Sequence, residues 1–342
     1  MQKSIRLVTG LYLKLSLLTV AVGLVLRVVL LFNEQTTSLA FSFGEWCEVF
    51  LLGAVNDFCA ATAGFFFLWL FMLSVSRTKY KKPWGYILLA LLVAAFCYVA
   101  FFNTIFDEYG SVAPRIALYV LGYWAGSFAL RLFLPGFRSH WTTVWFALFI
   151  VVYVGAIIFN GISEYFFWSE FGVRYNFIAV DYLVYTNEVV GNIMESYPVV
   201  PMTLGIVVVT LLVTWYLFRR ELVQTECLKG WRWKAVIAPA YIAALFAAIG
   251  LLNFNTRFQD SDNVYVNELQ ANGLYKFYDA FVKNTLDYEQ FYLTRPEPEA
   301  EAFVHGVYRS TGDNLHAVRA EGEEIRRNIV LITIESMSAS YM

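Results

Sequence analysis

The chain begins with MQKSIRLVTGLYLKLSLLTVAVGLVLRVVLLF, residues 1–32. Lys3 and Arg6 precede an apolar run, the order seen in a secretory leader, but the run is too long for a leader's apolar core and no small-residue cleavage site follows. A bilayer core about 30 Å thick needs about 20 mostly apolar residues per helix. The segment therefore reads as a retained first transmembrane helix. The composition agrees: 59% hydrophobic, 15% charged and a mean hydropathy of +0.55 over 342 residues lie far from soluble averages.

Working outward with the same length criterion gives seven spans, at about 10–32, 48–75, 84–104, 113–134, 141–161, 201–218 and 235–253. The flanking charges test the count, because cytoplasmic loops are enriched in Lys and Arg. One set of loops carries Lys3 and Arg6, then Arg77, Lys79, Lys81 and Lys82, then Arg131 and Arg138, then Arg219, Arg220, Lys229, Arg232 and Lys234. The alternate set carries Glu34 and Glu45, then Asp107 and Glu108, then an acidic stretch holding Arg174 as its one basic residue. This alternation supports an odd number of spans. It predicts a multi-pass protein of the cytoplasmic membrane with its N-terminus inside and everything after about residue 253 outside.

Three domains are expected: a transmembrane domain over 1–253, an extracytoplasmic helical connector over 254–325, and the start of a further domain at 326–342. Residues 162–200 read as a long aromatic outer loop lying along the interface, where Tyr and Trp can be both apolar and hydrogen-bonded. In the connector, Leu269, Leu274, Phe277, Phe281 and Leu286 recur at helical steps, interrupted near Gly273. Pro296 and Pro298 with the acidic residues after them suit a second helix start.

The formal charge of −2, with basic residues in short clusters, excludes a nucleic-acid footprint. Cys47, Cys59, Cys97 and Cys227 show no CxxC spacing, so neither a disulfide framework nor a zinc knuckle follows. Asp57 lies inside the second span. A charge at that depth is a functional candidate by default, and its structural alternative is a pair with Arg27 of the first span. Lys14 lies near the inner end of the first span and can snorkel. Arg174 is a candidate for contact with a lipid phosphate, or for an intrahelical pair with Glu170 four residues earlier.

The run NIVLITIE, residues 328–335, is continuous, apolar and rich in β-branched residues, the pattern of a strand buried in a parallel sheet. Glu335 would stand at its carboxyl end, where open α/β sheets gather their ligands. Ser336, Ser338 and Ser340 follow without a GxSxG elbow and read as first-turn residues after the strand.

NIVLITIESMSASYM, residues 328–342, resembles the opening of the catalytic domain of lipoteichoic-acid-synthase-like phosphoglycerol transferases, membrane relatives of sulfatases in the alkaline phosphatase superfamily. EFGVRYNFIAVDYLVYTNEVVGNIMESYPV and NELQANGLYKFYDAFVKNTLDYEQFY resemble the membrane-proximal portions of such proteins, so the likeness runs from about 160 to 342. Before residue 160 it is only a shared layout of apolar helices. Seven spans exceed the number usual in lipoteichoic acid synthases proper.

The resemblance implies a mainly α membrane bundle leading into an α/β sulfatase-like domain, with Glu335 as a ligand of a divalent metal, manganese or magnesium, with zinc as a further option. It also implies that a threonine nucleophile and the remaining Asp and His ligands lie beyond Met342. Residues 1–342 alone are therefore expected to be inactive. The implied reaction is attack of that threonine on a lipid headgroup phosphodiester, with a phosphatidylglycerol-type lipid as donor. His140, His305 and His316 offer no convincing partner set for a metal. A sulfatase-like hydrolase, and a non-enzymatic lipid transporter or partner subunit, remain as alternatives.

Overall fold

The structure is a computed structural model and describes residues 1–34, 36, 41–102, 104–106, 112–184, 186–259, 261–283, 294–308, 328 and 330–333. Among these residues, seven helices are long and apolar enough to cross a membrane. They are α1 (Gln2–Leu31), α2 (Phe43–Ser74), α3 (Trp84–Phe101), α4 (Val112–Phe133), α5 (Pro135–Phe171), α8 (Val199–Leu222) and α9 (Arg232–Arg257). Two short helices, α6 (Phe177–Val184) and α7 (Thr186–Ser196), lie between α5 and α8. After α9 come α10 (Val264–Gln270), α11 (Gly273–Val282) and α12 (Glu297–Tyr308). The seven spans expected from length and charge are all present as helices.

Leu7, Leu11 and Leu15 recur at one-turn spacing and give α1 a continuous apolar ridge. It meets Phe65, Leu68 and Met72 of α2, Phe146, Ile150 and Val154 of α5, Phe218 of α8 and Tyr241 of α9. In lipid, tails are as apolar as leucine, so close packing rather than expulsion of water holds such helices together. Many other apolar side chains face outward, as Val207, Val208, Leu211, Leu212 and Trp215 do along α8. Helices α3 and α4 pack on each other, and α4 also on α5.

The outer loop expected over 162–200 is instead mostly helical. α5 continues to Phe171 because Ile157, Glu164, Phe167 and Trp168 extend its buried face past the apolar span. It stops at Gly172, whose φ of 66° is a left-handed conformation that glycine adopts without penalty. Within α2 a π-helical turn over Glu48–Leu52 directly precedes Gly53.

The chain divides into two compact units, Met1–Asn284 and Thr285–Met342. The first half of the expected connector, α10 and α11, thus belongs with the bundle; Leu286 lies outside the described residues. In the second unit α12 begins at Glu297, just after Pro296. The strand expected at 328–335 is not seen: residues 328 and 330–333 have no regular structure, and Val330, Leu331 and Ile332 are exposed. A strand exists only with a ladder partner for its N–H and C=O groups, and no strand occurs among the described residues.

Candidate functional site

Arg27 of α1 is 0% exposed, within a stretch of that helix, residues 20–31, that is otherwise wholly apolar. An unpaired charge there would be expensive, and the bundle answers it completely. Its Nη1 and Nη2 donate to the two carboxylate oxygens of Asp57 on α2, at 2.5 and 3.2 Å, a bidentate fork. Nη2 also donates to the carbonyl of Gly53 at 2.9 Å. The other bonds leave the two helices: Nε donates to the carbonyl of Leu269 at 2.9 Å, and Nη2 to that of Ala271 at 3.3 Å. The Arg27–Asp57 pair expected from the sequence is therefore formed.

A second buried arginine faces the same segment. Chain reversal at Gly172 turns Arg174 inward, to 3% exposure, where its Nη1 pairs with Glu164 of α5. The partner is Glu164 rather than the expected Glu170. Asn160 supports that carboxylate with a 2.8 Å bond. Arg174 Nε donates to the Glu268 carbonyl at 3.0 Å, and Nη2 to the Leu269 carbonyl at 3.4 Å. Its backbone N–H reaches the Glu268 carboxylate at 2.9 Å, and Lys276 pairs with the other oxygen of that group. The guanidinium expected to meet a lipid phosphate is thus turned into the protein.

Both arginines serve one end of one helix. The last four carbonyls of an α-helix have no partner inside it, and they carry the negative end of its dipole. At the end of α10 all four, and the carbonyl of Ala271 that follows, are taken from outside: Asn267 by Gln259, Glu268 by Arg174, Leu269 by both arginines, Gln270 by Asn56, and Ala271 by Arg27. Asn272 completes the reversal. Its Oδ1 accepts from Tyr275 N–H and caps α11, while its Nδ2 donates to Asp57 at 2.8 Å. Asn255 of α9 joins through the side chain of Asn56 at 2.7 Å.

Space for these groups comes from missing side chains. A methyl group on Gly23 would lie 1.9 Å from Asp57 Oδ2, one on Gly53 2.3 Å from Arg27 Nε, and one on Gly273 1.9 Å from Glu164 Oε1. The obstructing atoms are side-chain ends, yet each is buried and held by its pair, so it cannot swing away without breaking that pair. Gly23→Ala and Gly53→Ala are each expected to cost about 1–3 kcal/mol. Gly10→Ala meets open space in the same helix α1, and is expected to be neutral or to gain up to about 1 kcal/mol. Thermal melts in detergent separate these outcomes.

Chemically the cluster is closed. Arg27, Arg174 and Lys276 are matched by Asp57, Glu164 and Glu268, and the donors are spent on carboxylates and carbonyls. Nearby, burial raises the Tyr175 phenol well above its usual value, beside Glu164 and Arg174. Among the described residues, no three His, Cys, Asp or Glu side chains come together as metal ligands. His140 contacts the carbonyl of Gly136 at 2.9 Å. Lys14 does not snorkel alone; it pairs with Glu221 of α8 at 2.7 Å. Glu335, His316 and Ser336, Ser338 and Ser340 lie outside the described residues.

Sequence reasoning missed Glu164, Glu268, Asn56 and Asn272. NELQANG, residues 267–273, did hold a signal, since two asparagines and a glycine inside an apolar-periodic segment mark a helix end and a new helix start.

With this geometry in hand, comparison with known proteins finds no matching family model, no matching curated protein and no matching solved structure. The chain is defined by its own architecture: a multi-pass membrane protein whose helices bind a following helical segment through two buried arginine–carboxylate pairs.

Proposed function

We propose that this chain is the membrane-anchoring part of a metal-dependent transferase of phosphoglycerol, or of a related phospholipid headgroup, acting on the outer side of a bacterial cytoplasmic membrane. The observation that carries this reading is the docking of α10 by Arg27 and Arg174. An enzyme whose donor sits in the bilayer gains from holding its site at a fixed height over the surface, because positioning replaces a search. A docked helix does that, whereas a flexible linker only sets a local concentration. The sequence likeness over 160–342 supports the same reading. A sulfatase-like hydrolase would use the same anchor and differ in passing the group to water. A lipid transporter needs polar groups free to meet its cargo, and the buried charges here are occupied by one another.

The metal this reading implies, manganese or magnesium with zinc as a third option, finds no ligand set among the described residues, and one carboxylate at Glu335 does not make a site. On this proposal the threonine nucleophile and the other ligands lie in sequence after Met342.

The test uses the full gene product in vesicles of headgroup-labelled phosphatidylglycerol with manganese. Release or transfer of the label is expected, and Glu335→Ala is expected to lower it by about a hundredfold or more at an unchanged melting temperature. Full activity of Glu335→Ala overturns its role as a ligand. Movement of intact lipid between leaflets without headgroup turnover overturns the transferase reading in favour of transport.

A further inference from the structure

At the end of the bundle that carries the basic loops, a small half-open cleft of about 30 Å³ is lined by the end of α2, the following turn at Thr78–Tyr80, the end of α4, the start of α5 and the turn at Thr225–Lys229. Four cations line it: Lys79, Arg131, Arg138 and Lys229, all half-buried. Lys229 is matched by Glu226, which also takes Arg77. No described carboxylate forms an ion pair with Lys79, Arg131 or Arg138.

These three cations are held rather than free. Arg138 lies over the ring of Tyr80 at 4.1 Å and donates to the Arg131 and Leu132 carbonyls at 2.7 and 3.2 Å. Arg131 lies over Trp141 at 5.2 Å and donates to the Ser127 carbonyl at 2.9 Å. Lys79 lies by the same Tyr80 ring at 5.4 Å and donates to the Ser74 carbonyl at 2.6 Å. Basic residues that only set topology need no such construction, since exposed loop positions serve equally well.

Like charges gathered in a partly dry cleft destabilise one another unless an anion joins them. The state of Lys79 reflects this: burial, with repulsion from Arg131 and Lys234, brings its ammonium down to about 8. Two guanidiniums offer fork geometry to phosphate oxygens, and the lysine adds a point charge. We propose that this cleft is a phosphate-binding site occupied by the headgroup of an anionic phospholipid in the leaflet at the basic end of the bundle. It lies apart from the arginine-docked α10 and from any transfer chemistry.

The experiment is a titration of the purified protein in zwitterionic micelles with fluorescent phosphatidylglycerol, competed by unlabelled phosphatidylglycerol, by phosphatidylcholine and by inorganic phosphate. Unlabelled phosphatidylglycerol is expected to displace the probe and phosphatidylcholine is not. Removing one cleft cation by Lys79→Gln should weaken binding about fivefold, and Arg131→Gln with Arg138→Gln about twenty-fivefold. Lys81→Gln with Lys82→Gln, exposed charges outside the cleft lining, should change it less than about twofold. Equal competition by both lipids, or equal losses in the cleft and exposed variants, overturns the site. Displacement by millimolar inorganic phosphate as effective as by the lipid overturns the lipid source and assigns the cleft to a soluble phosphate. Lys79→Gln keeps the arginine bonds to α4 carbonyls, so the test does not depend on the double variant folding.

Discussion

Arg27→Ala is expected to destabilise the bundle by about 3–5 kcal/mol, more than Asp57→Ala, and the two losses are expected not to add. Neutral hydrogen bonds between membrane helices average only about 0.6 kcal/mol, so the figure rests on what a single substitution leaves behind. Without Asp57, a guanidinium remains at 0% exposure with backbone carbonyls but no countercharge. Without Arg27, a carboxylate remains whose one other side-chain partner among the described residues is Asn272, and the Gly53, Leu269 and Ala271 carbonyls each lose a donor. That asymmetry makes the arginine the costlier loss. Arg27→Lys should not rescue, because one ammonium cannot reach both Asp57 oxygens and carbonyls on two separate segments. A detergent melt cycle of the two single variants and the double reads the coupling; additive losses would contradict a shared network.

The Arg27–Asp57 pair was legible in the sequence for the same reason it is costly to break. Two opposite charges inside neighbouring apolar spans have few solutions other than each other. The spans were legible because bilayer thickness fixes length, and charge alternation independently fixes their number. Glu164 was not. The acid falls in the outer loop expected from residue 162, and its partner is set by chain reversal at Gly172, which local pattern does not specify. The docking of α10 was hidden more deeply, since its acceptors are backbone carbonyls and these leave no mark in residue type. The run at 328–335 shows the converse. Its β-branched residues state a competence for strand pairing, while a strand requires a neighbour that the pattern does not supply.

Arg174→Ala is expected to release the docked segment more than the bundle. Its guanidinium ties Glu164 of α5 to the carbonyls of Glu268 and Leu269, and its removal leaves Glu164 buried without a countercharge beside Gly273, at the start of α11. A loss of about 3–5 kcal/mol confined to that contact corresponds to a fall of roughly two to three and a half decades in amide exchange protection. The fall should appear over Val264–Val282, while the ridge of α1 around Leu11 and Leu15, packed in the separate apolar core, keeps its protection. Gly273→Ala should act on the same segment, because its methyl group would displace the Glu164 carboxylate from the opposite side. Hydrogen exchange read by mass spectrometry distinguishes local from global loosening. If protection in α1 and in α10 falls together for Arg174→Ala, the arginine is part of one cooperative bundle and not a clamp on the segment that follows it. If only α10 and α11 loosen, the two arginines do different work: Arg27 holds the bundle to itself as well as to the connector, and Arg174 fixes the direction in which the chain leaves the membrane.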